Sequence, residues 1–173
     1  MSYFSSLNKA KGIVDVFMEN PKKYMASLTL AEEFLREPSV LTPKEREIIA
    51  AFTSYLNKCK YCFGSHKAFS ISMGATEEEV NSIILENYKD HRLASVFDYV
   101  KKLTLSPSSL SKEDFDNVLN SGISEEELKD AIAVCAAFNY FNRIVEGHFI
   151  SENSETWNQA ADMIKNHGYD KRR

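Results

Sequence analysis

The sequence predicts an all-α fold, a single-domain bundle of about seven helices spanning residues 1–173. Three observations predict it. Apolar residues recur at helical rather than alternating spacing, several segments open on capping signals, and no run has the character of a strand. Glycine and proline are few, 6 and 4 in 173 residues, so little interrupts the periodic segments.

In chain order, residues 8–18 carry Ile13, Val14, Phe17 and Met18, a short amphipathic helix ending before Pro21. From Pro21, the residues Tyr24, Met25, Leu28, Ala31 and Leu35 mark one buried helical face, which Pro38 stops. Thr42-Pro43-Lys44-Glu45 joins a Thr N-cap, a proline at the first helical position and a glutamate closing the capping box. That helix runs through Ile48, Ile49, Phe52, Tyr55 and Leu56. Another begins near Cys59 and stops at Gly74, a left-handed C-cap. Thr76-Glu77-Glu78-Glu79 opens the next, with Val80, Ile83 and Ile84 as its apolar face.

Residues 91–104 put Leu93, Val96, Phe97, Val100 and Leu103 inward; Pro107 and its serines form a loop; Ser111 restarts a helix ending at Gly122. Ser124 caps 125–149, whose nearly continuous apolarity predicts a helix buried on most sides. Residues 155–166 make a final short helix, and Lys171-Arg172-Arg173 a frayed end. The glutamate runs 77–79 and 125–127 read as helix N-termini and nothing more. His91 and His167 read as solvated, and Cys135 as a small core hydrophobe.

Composition excludes several functions. An apolar share of 43 % is that of a globular protein. A net charge of −4 gives no basic excess for a nucleic-acid surface. No apolar run approaches the roughly 20 residues of a membrane span. Met1-Ser2-Tyr3-Phe4-Ser5-Ser6-Leu7 lacks the basic and apolar regions of a signal peptide, so the expected location is cytoplasmic. There a CxxC is catalytic or metal-binding more often than structural, and three cysteines leave one over in any disulfide framework.

The chemistry concentrates between Glu47 and His66. Cys59 and Cys62 stand three residues apart, and His66 four beyond the second. On a helix, residues four apart are neighbours, with Cβ atoms roughly 5–6 Å apart. Cys62 therefore has an imidazole beside it that can take its proton, and Cys59 sits a turn earlier, close enough to trap an oxidised sulfur. The thiolate is the reactive form of cysteine, and a basic neighbour is one way to lower its pKa from about 8.5. Cys59 at the helix start also gains from the positive end of the dipole. A zinc site built on Cys59, Cys62 and His66 would need a fourth ligand, for which Cys135 or His148 are the candidates. Asn139, Asn142, Arg143 and Glu146 share one helix face. They read as a buried polar network or a subunit seam, with Asn142 and Arg143, along with Tyr61, kept as candidate pocket or relay residues.

The pattern Glu-x11-Cys-x2-Cys-x3-His, here Glu47, Cys59, Cys62 and His66, resembles the core motif of the alkylhydroperoxidase D (AhpD) family. That family sits with the carboxymuconolactone decarboxylases in one all-helical superfamily. Leu41-Thr42-Pro43-Lys44-Glu45-Arg46-Glu47, Cys59-Lys60-Tyr61-Cys62, Gly122-Ile123-Ser124, Asp130-Ala131 and Phe141-Asn142-Arg143-Ile144 resemble its peroxidase-related branch, over about 20–150. The resemblance implies that Cys62 is the peroxidatic cysteine, Cys59 the thiol that resolves its sulfenic acid, and His66 with Glu47 a proton relay. It implies an antioxidant enzyme acting on organic hydroperoxides or hydrogen peroxide, and a redox-active Cys59–Cys62 disulfide in place of any cofactor. It further implies an external thiol or protein reductant and a homo-oligomer, often trimer-based. Better-known members carry histidine where this chain has Tyr61, a phenol that cannot relay protons at neutral pH as an imidazole does. Two alternatives stand beside the peroxidase: a disulfide oxidoreductase or redox-sensing module, and a non-redox enzyme of the decarboxylase type.

Overall fold

In the computed structural model, residues 2–151 and 154–170 are described, and among them there are nine α-helices and no strand. These are α1 (Ile13–Glu19), α2 (Pro21–Leu35), α3 (Pro43–Leu56), α4 (Lys60–Ser72), α5 (Glu77–Ile84), α6 (Ala94–Leu105), α7 (Lys112–Asn120), α8 (Glu125–Gly147) and α9 (Ser154–His167). Nine therefore replaces about seven. The basic end, 171–173, lies outside the described residues.

Helix starts follow from local chemistry. Thr42, Thr76, Ser111 and Ser124 each accept the N3 amide while the N3 carboxylate reaches back to the cap. The ends reuse one geometry. Gly74, after α4, takes φ +100°, and the Ala75 amide donates back to the Ser70 carbonyl. Lys58, after α3, takes the same left-handed turn at φ 59° without being glycine, with Cys59 N donating to Ser54 O at 3.0 Å. This corner sends α4 straight back along α3 and leaves Cys59 as its N-cap.

The most enclosed helix is α3, not α8. Every residue from Glu45 to Ser54 is buried, and α3 touches α2, α4, α5, α6 and α8. α8 keeps an exposed stripe at Ala136, Tyr140 and Arg143. Polar residues disguise α3 in the sequence, and each of several finds a partner inside. Arg46 donates to the carbonyls of Phe34 and Glu37, closing the end of α2, and Ser54 donates to Ala50 O. In α1 the buried pair is Val16 and Phe17, while Val14 and Met18 lie about half exposed at 51 % and 59 %.

The glutamate runs do more than start helices. Glu79 also meets Lys44 and the Nε2 of His91, so His91 is tied down rather than solvated. Glu127 shares Arg92 with Glu45, pinning the loop before α6 to the starts of α3 and α8.

Candidate active site

Four elements converge on one buried carboxylate. Glu47, on the first turns of α3, is fully enclosed. Its Oε2 lies 2.6 Å from His66 Nδ1 on α4. Its Oε1 accepts from Arg36 Nη2, just past α2, at 2.5 Å, and from the Tyr169 hydroxyl, beyond α9, at 2.7 Å. Burial alone would raise the Glu47 carboxyl. The facing imidazole first, then the guanidinium and the phenol, outweigh it and hold the group below its ordinary value. An ionised carboxylate only accepts, so the hydrogen between the two groups sits on His66 Nδ1 and Nε2 is turned away from Glu47. The imidazole is clamped further by Phe138, centroid to centroid 4.3 Å, and lies parallel to the Tyr169 ring.

Cys62 lines the same small cavity as His66, about 60 Å³, walled by Phe17, Leu28, Tyr61, Phe138, Phe141 and Tyr169. Cys59 is fully buried and is not among the residues lining that cavity. It contributes to an open groove of about 490 Å³ with Ser54, Tyr55, Leu56, Lys58, Lys60 and Phe63. The two thiols nevertheless interact. Hydrogen bonding to Cys62, then burial and the nearby Glu146 carboxylate, push the Cys59 thiol far up. All three cysteines are free.

The remaining candidates fall away from this centre. Tyr61 is a wall of the cavity whose hydroxyl accepts the Ile13 amide at 3.3 Å, and burial raises its phenol. Asn142 bridges Asn57 and Ser54 behind the α3–α4 corner, and Arg143 lies exposed with its guanidinium on Asn139. Neither lines the Cys62 cavity, and Asn142 belongs to a buried polar network with Asn57 and Ser54. Cys135 sits in the core on Thr104, and His148 bonds Ile144 O, so neither meets the CxxC as a fourth metal ligand. Among the described residues no group of three or more His, Cys, Asp and Glu side chains is arranged to hold a metal ion. No described helix is long and apolar enough to cross a membrane.

Two partners of Glu47 were invisible in the sequence motif. Arg36 ends α2, and Tyr169 follows Gly168, whose φ of +69° turns the chain after α9. A glycine after an amphipathic helix was the one sequence signal that the chain turns back there.

Residues 22–95 match the model of the Carboxymuconolactone decarboxylase family. That match spans less than half of the chain and shows a likeness to this family over that stretch. The family segment contains Glu47, Cys59, Cys62 and His66, and leaves Tyr169 outside. The whole fold is the AhpD-like one. A structure of an uncharacterized peroxidase-related protein from Silicibacter sp. TM1040 is similar at TM-score 0.76 and 23 % identity, over 84 % of this chain and 78 % of that one. The AhpD core of an uncharacterized peroxidase-related protein from Ralstonia eutropha JMP134 is similar at 0.76 and 22 %, over 87 % and 83 %. In sequence, the uncharacterized protein YdfG of Bacillus subtilis (strain 168) is 24 % identical over 117 residues, 65 % of this chain and 78 % of that protein.

Proposed function

We propose that this protein is a thiol-dependent peroxidase of antioxidant defence whose redox centre is the Cys59–Cys62 pair. The observation that carries the reading is the Cys62 thiol and the His66 imidazole sharing one small cavity, with His66 Nδ1 held 2.6 Å from a fully buried Glu47. The neighbouring peroxidase-related structures support the same class.

In this mechanism His66 Nε2 takes the Cys62 proton, and the thiolate attacks the hydroperoxide oxygen. The O–O bond breaks, Cys62 becomes sulfenic acid, and the leaving alkoxide or hydroxide recovers the proton from His66 as alcohol or water. Glu47 keeps the imidazole in the tautomer that accepts and stabilises the imidazolium that forms. The Cys59 thiol then attacks the Cys62 sulfur, and its proton leaves with the hydroxyl as water, so a disulfide results. An external dithiol reduces that disulfide by exchange and is itself oxidised. Its route is the open groove on the Cys59 side. The enzyme works as a homo-oligomer, with no cofactor beyond the two sulfurs.

Mass spectrometry after one equivalent of peroxide tests this. The reduced protein should lose two hydrogens, Cys59→Ser should gain one oxygen, and Cys62→Ser should stay unchanged. Oxygen addition on Cys59 in Cys62→Ser overturns the assignment. The open groove beside Cys59 favours a second reading, disulfide exchange with protein thiols; disulfide transfer to a reduced protein without peroxide selects it.

A further inference from the structure

We infer that Tyr169 limits access to the Cys62 sulfur to molecules of about the size of hydrogen peroxide, and excludes ring-bearing and long-chain hydroperoxides. For peroxides as the reactants, this rests on the thiol-peroxidase reading.

The argument begins with volume. The cavity that Cys62 and His66 share is about 60 Å³. A cavity measured this way needs about 10–15 Å³ to hold one water, whereas a dry cavity known to admit benzene is about 150 Å³. Hydrogen peroxide, or a hydroperoxide with a very short alkyl group, fits the space; a phenyl group does not. Cys62 and His66 are themselves only 3 % and 8 % exposed, so a reactant has to enter this cavity to meet both.

The walls are not equally fixed. Phe17, Phe138 and Phe141 are core residues carried in the middle of α1 and α8. Tyr169 stands on a short irregular strap, residues 168–170, after the last helix. Polar contacts hold that strap. The Glu32 carboxylate accepts the amides of Tyr169 and Asp170, Thr29 donates to Asp170 Oδ2 at 2.8 Å, and the phenol donates to Glu47. The Arg36 guanidinium lies 5.0 Å from the ring centroid. Gly168 makes the approach feasible, since a Cβ there would run into the Glu32 carboxylate. The ring so delivered forms the cavity wall beside His66. Removing it enlarges the space without cutting into a helix, whereas the other aromatic walls belong to the core.

Two size series test the inference, one of them free of peroxide. In the Cys59→Ser background, Cys62 is alkylated with iodoacetamide, N-ethylmaleimide and N-benzylmaleimide, each rate divided by that with free cysteine. In the otherwise unchanged protein, kcat/KM is measured with hydrogen peroxide and cumene hydroperoxide. The native cavity should disfavour the ring-bearing member of each series by at least about tenfold, the range a tight pocket commands. Tyr169→Ala should remove most of that discrimination. Tyr169→Phe should keep it within about twofold while slowing both peroxides alike, because only the bond to Glu47 is lost. Equal reaction of small and large reagents with the native protein overturns the inference, and so does discrimination that survives Tyr169→Ala. Size-graded alkylation that Tyr169→Ala abolishes, in a protein that consumes no peroxide, supports the wall and sinks the peroxidase reading alone. Should Tyr169→Ala not fold, Tyr169→Leu and the native alkylation series still decide.

Discussion

Residues 22–95 and the strap at 168–170 both reach the Glu47 carboxylate, and they do so by different means. The family segment brings His66 to Glu47 through a helical hairpin, α3 turning at Lys58 into α4, so that register along two packed helices sets the distance. The strap brings Tyr169 there through hydrogen bonds to Glu32, with no helix of its own. The first arrangement is encoded locally and can be read from spacing. The second exists only once α2 and α9 are in place. A motif can therefore specify the reacting groups while the shape of their cavity is settled by residues far along the chain.

That contrast can be broken in several places. Cys62→Ser should have the largest effect, complete loss of peroxide consumption with an unchanged circular dichroism spectrum; retained turnover would remove the family segment from the chemistry. Next comes Glu47→Gln, which leaves the half-buried Arg36 guanidinium without its anion and frees the His66 tautomer. It should lower kcat/KM by about 100-fold or more and cost about 3 kcal/mol or more in urea unfolding. Activity within a few-fold of the native protein would mean the carboxylate serves packing only.

Acid should attack the same point. The folded Glu47 carboxyl lies below its ordinary value, so its contribution to stability is fully present above the unfolded pKa of about 4.3 and is lost as pH falls through the lower folded value. Glu47→Gln should flatten that part of the acid limb, while neutral pH leaves the ionisation unchanged. A parallel acid limb in the variant would refute the shift.

Gly64→Ala strikes the joint between the two regions. A Cβ there would overlap the Trp157 ring on α9, and the loss should be about 1–3 kcal/mol despite alanine's better helix propensity. Limited proteolysis should then cut first in the C-terminal segment. Lys58→Gly is the mildest, a gain of about 1 kcal/mol in thermal unfolding, because glycine takes φ 59° without strain, as Gly74 does at the other end of α4.

Much of the helical layout was legible, because capping boxes such as Thr42–Glu45 and Ser124–Glu127 are short-range chemistry. So was the proximity of Cys62 to His66, which one helical turn enforces. The burial of α3 was not, since Arg46, Glu47 and Ser54 look solvent-facing until their partners are known. Arg36 and Tyr169 were unreadable for the same reason. Each earns its place through a contact 11 or 122 residues away in sequence. For Asn142 and Arg143 the sequence placed one shared helix face, and which cavity that face meets depends on packing that spacing does not encode.

The chain has one tryptophan, Trp157, and its indole lies flat against Gly64, two residues from Cys62. Tryptophan emission therefore comes from a single residue, carried on the helix that leads into the strap and packed against the helix that bears Cys62. Oxidation of the thiols or detachment of α9 should each change its intensity or colour, giving a stopped-flow signal that needs no dye.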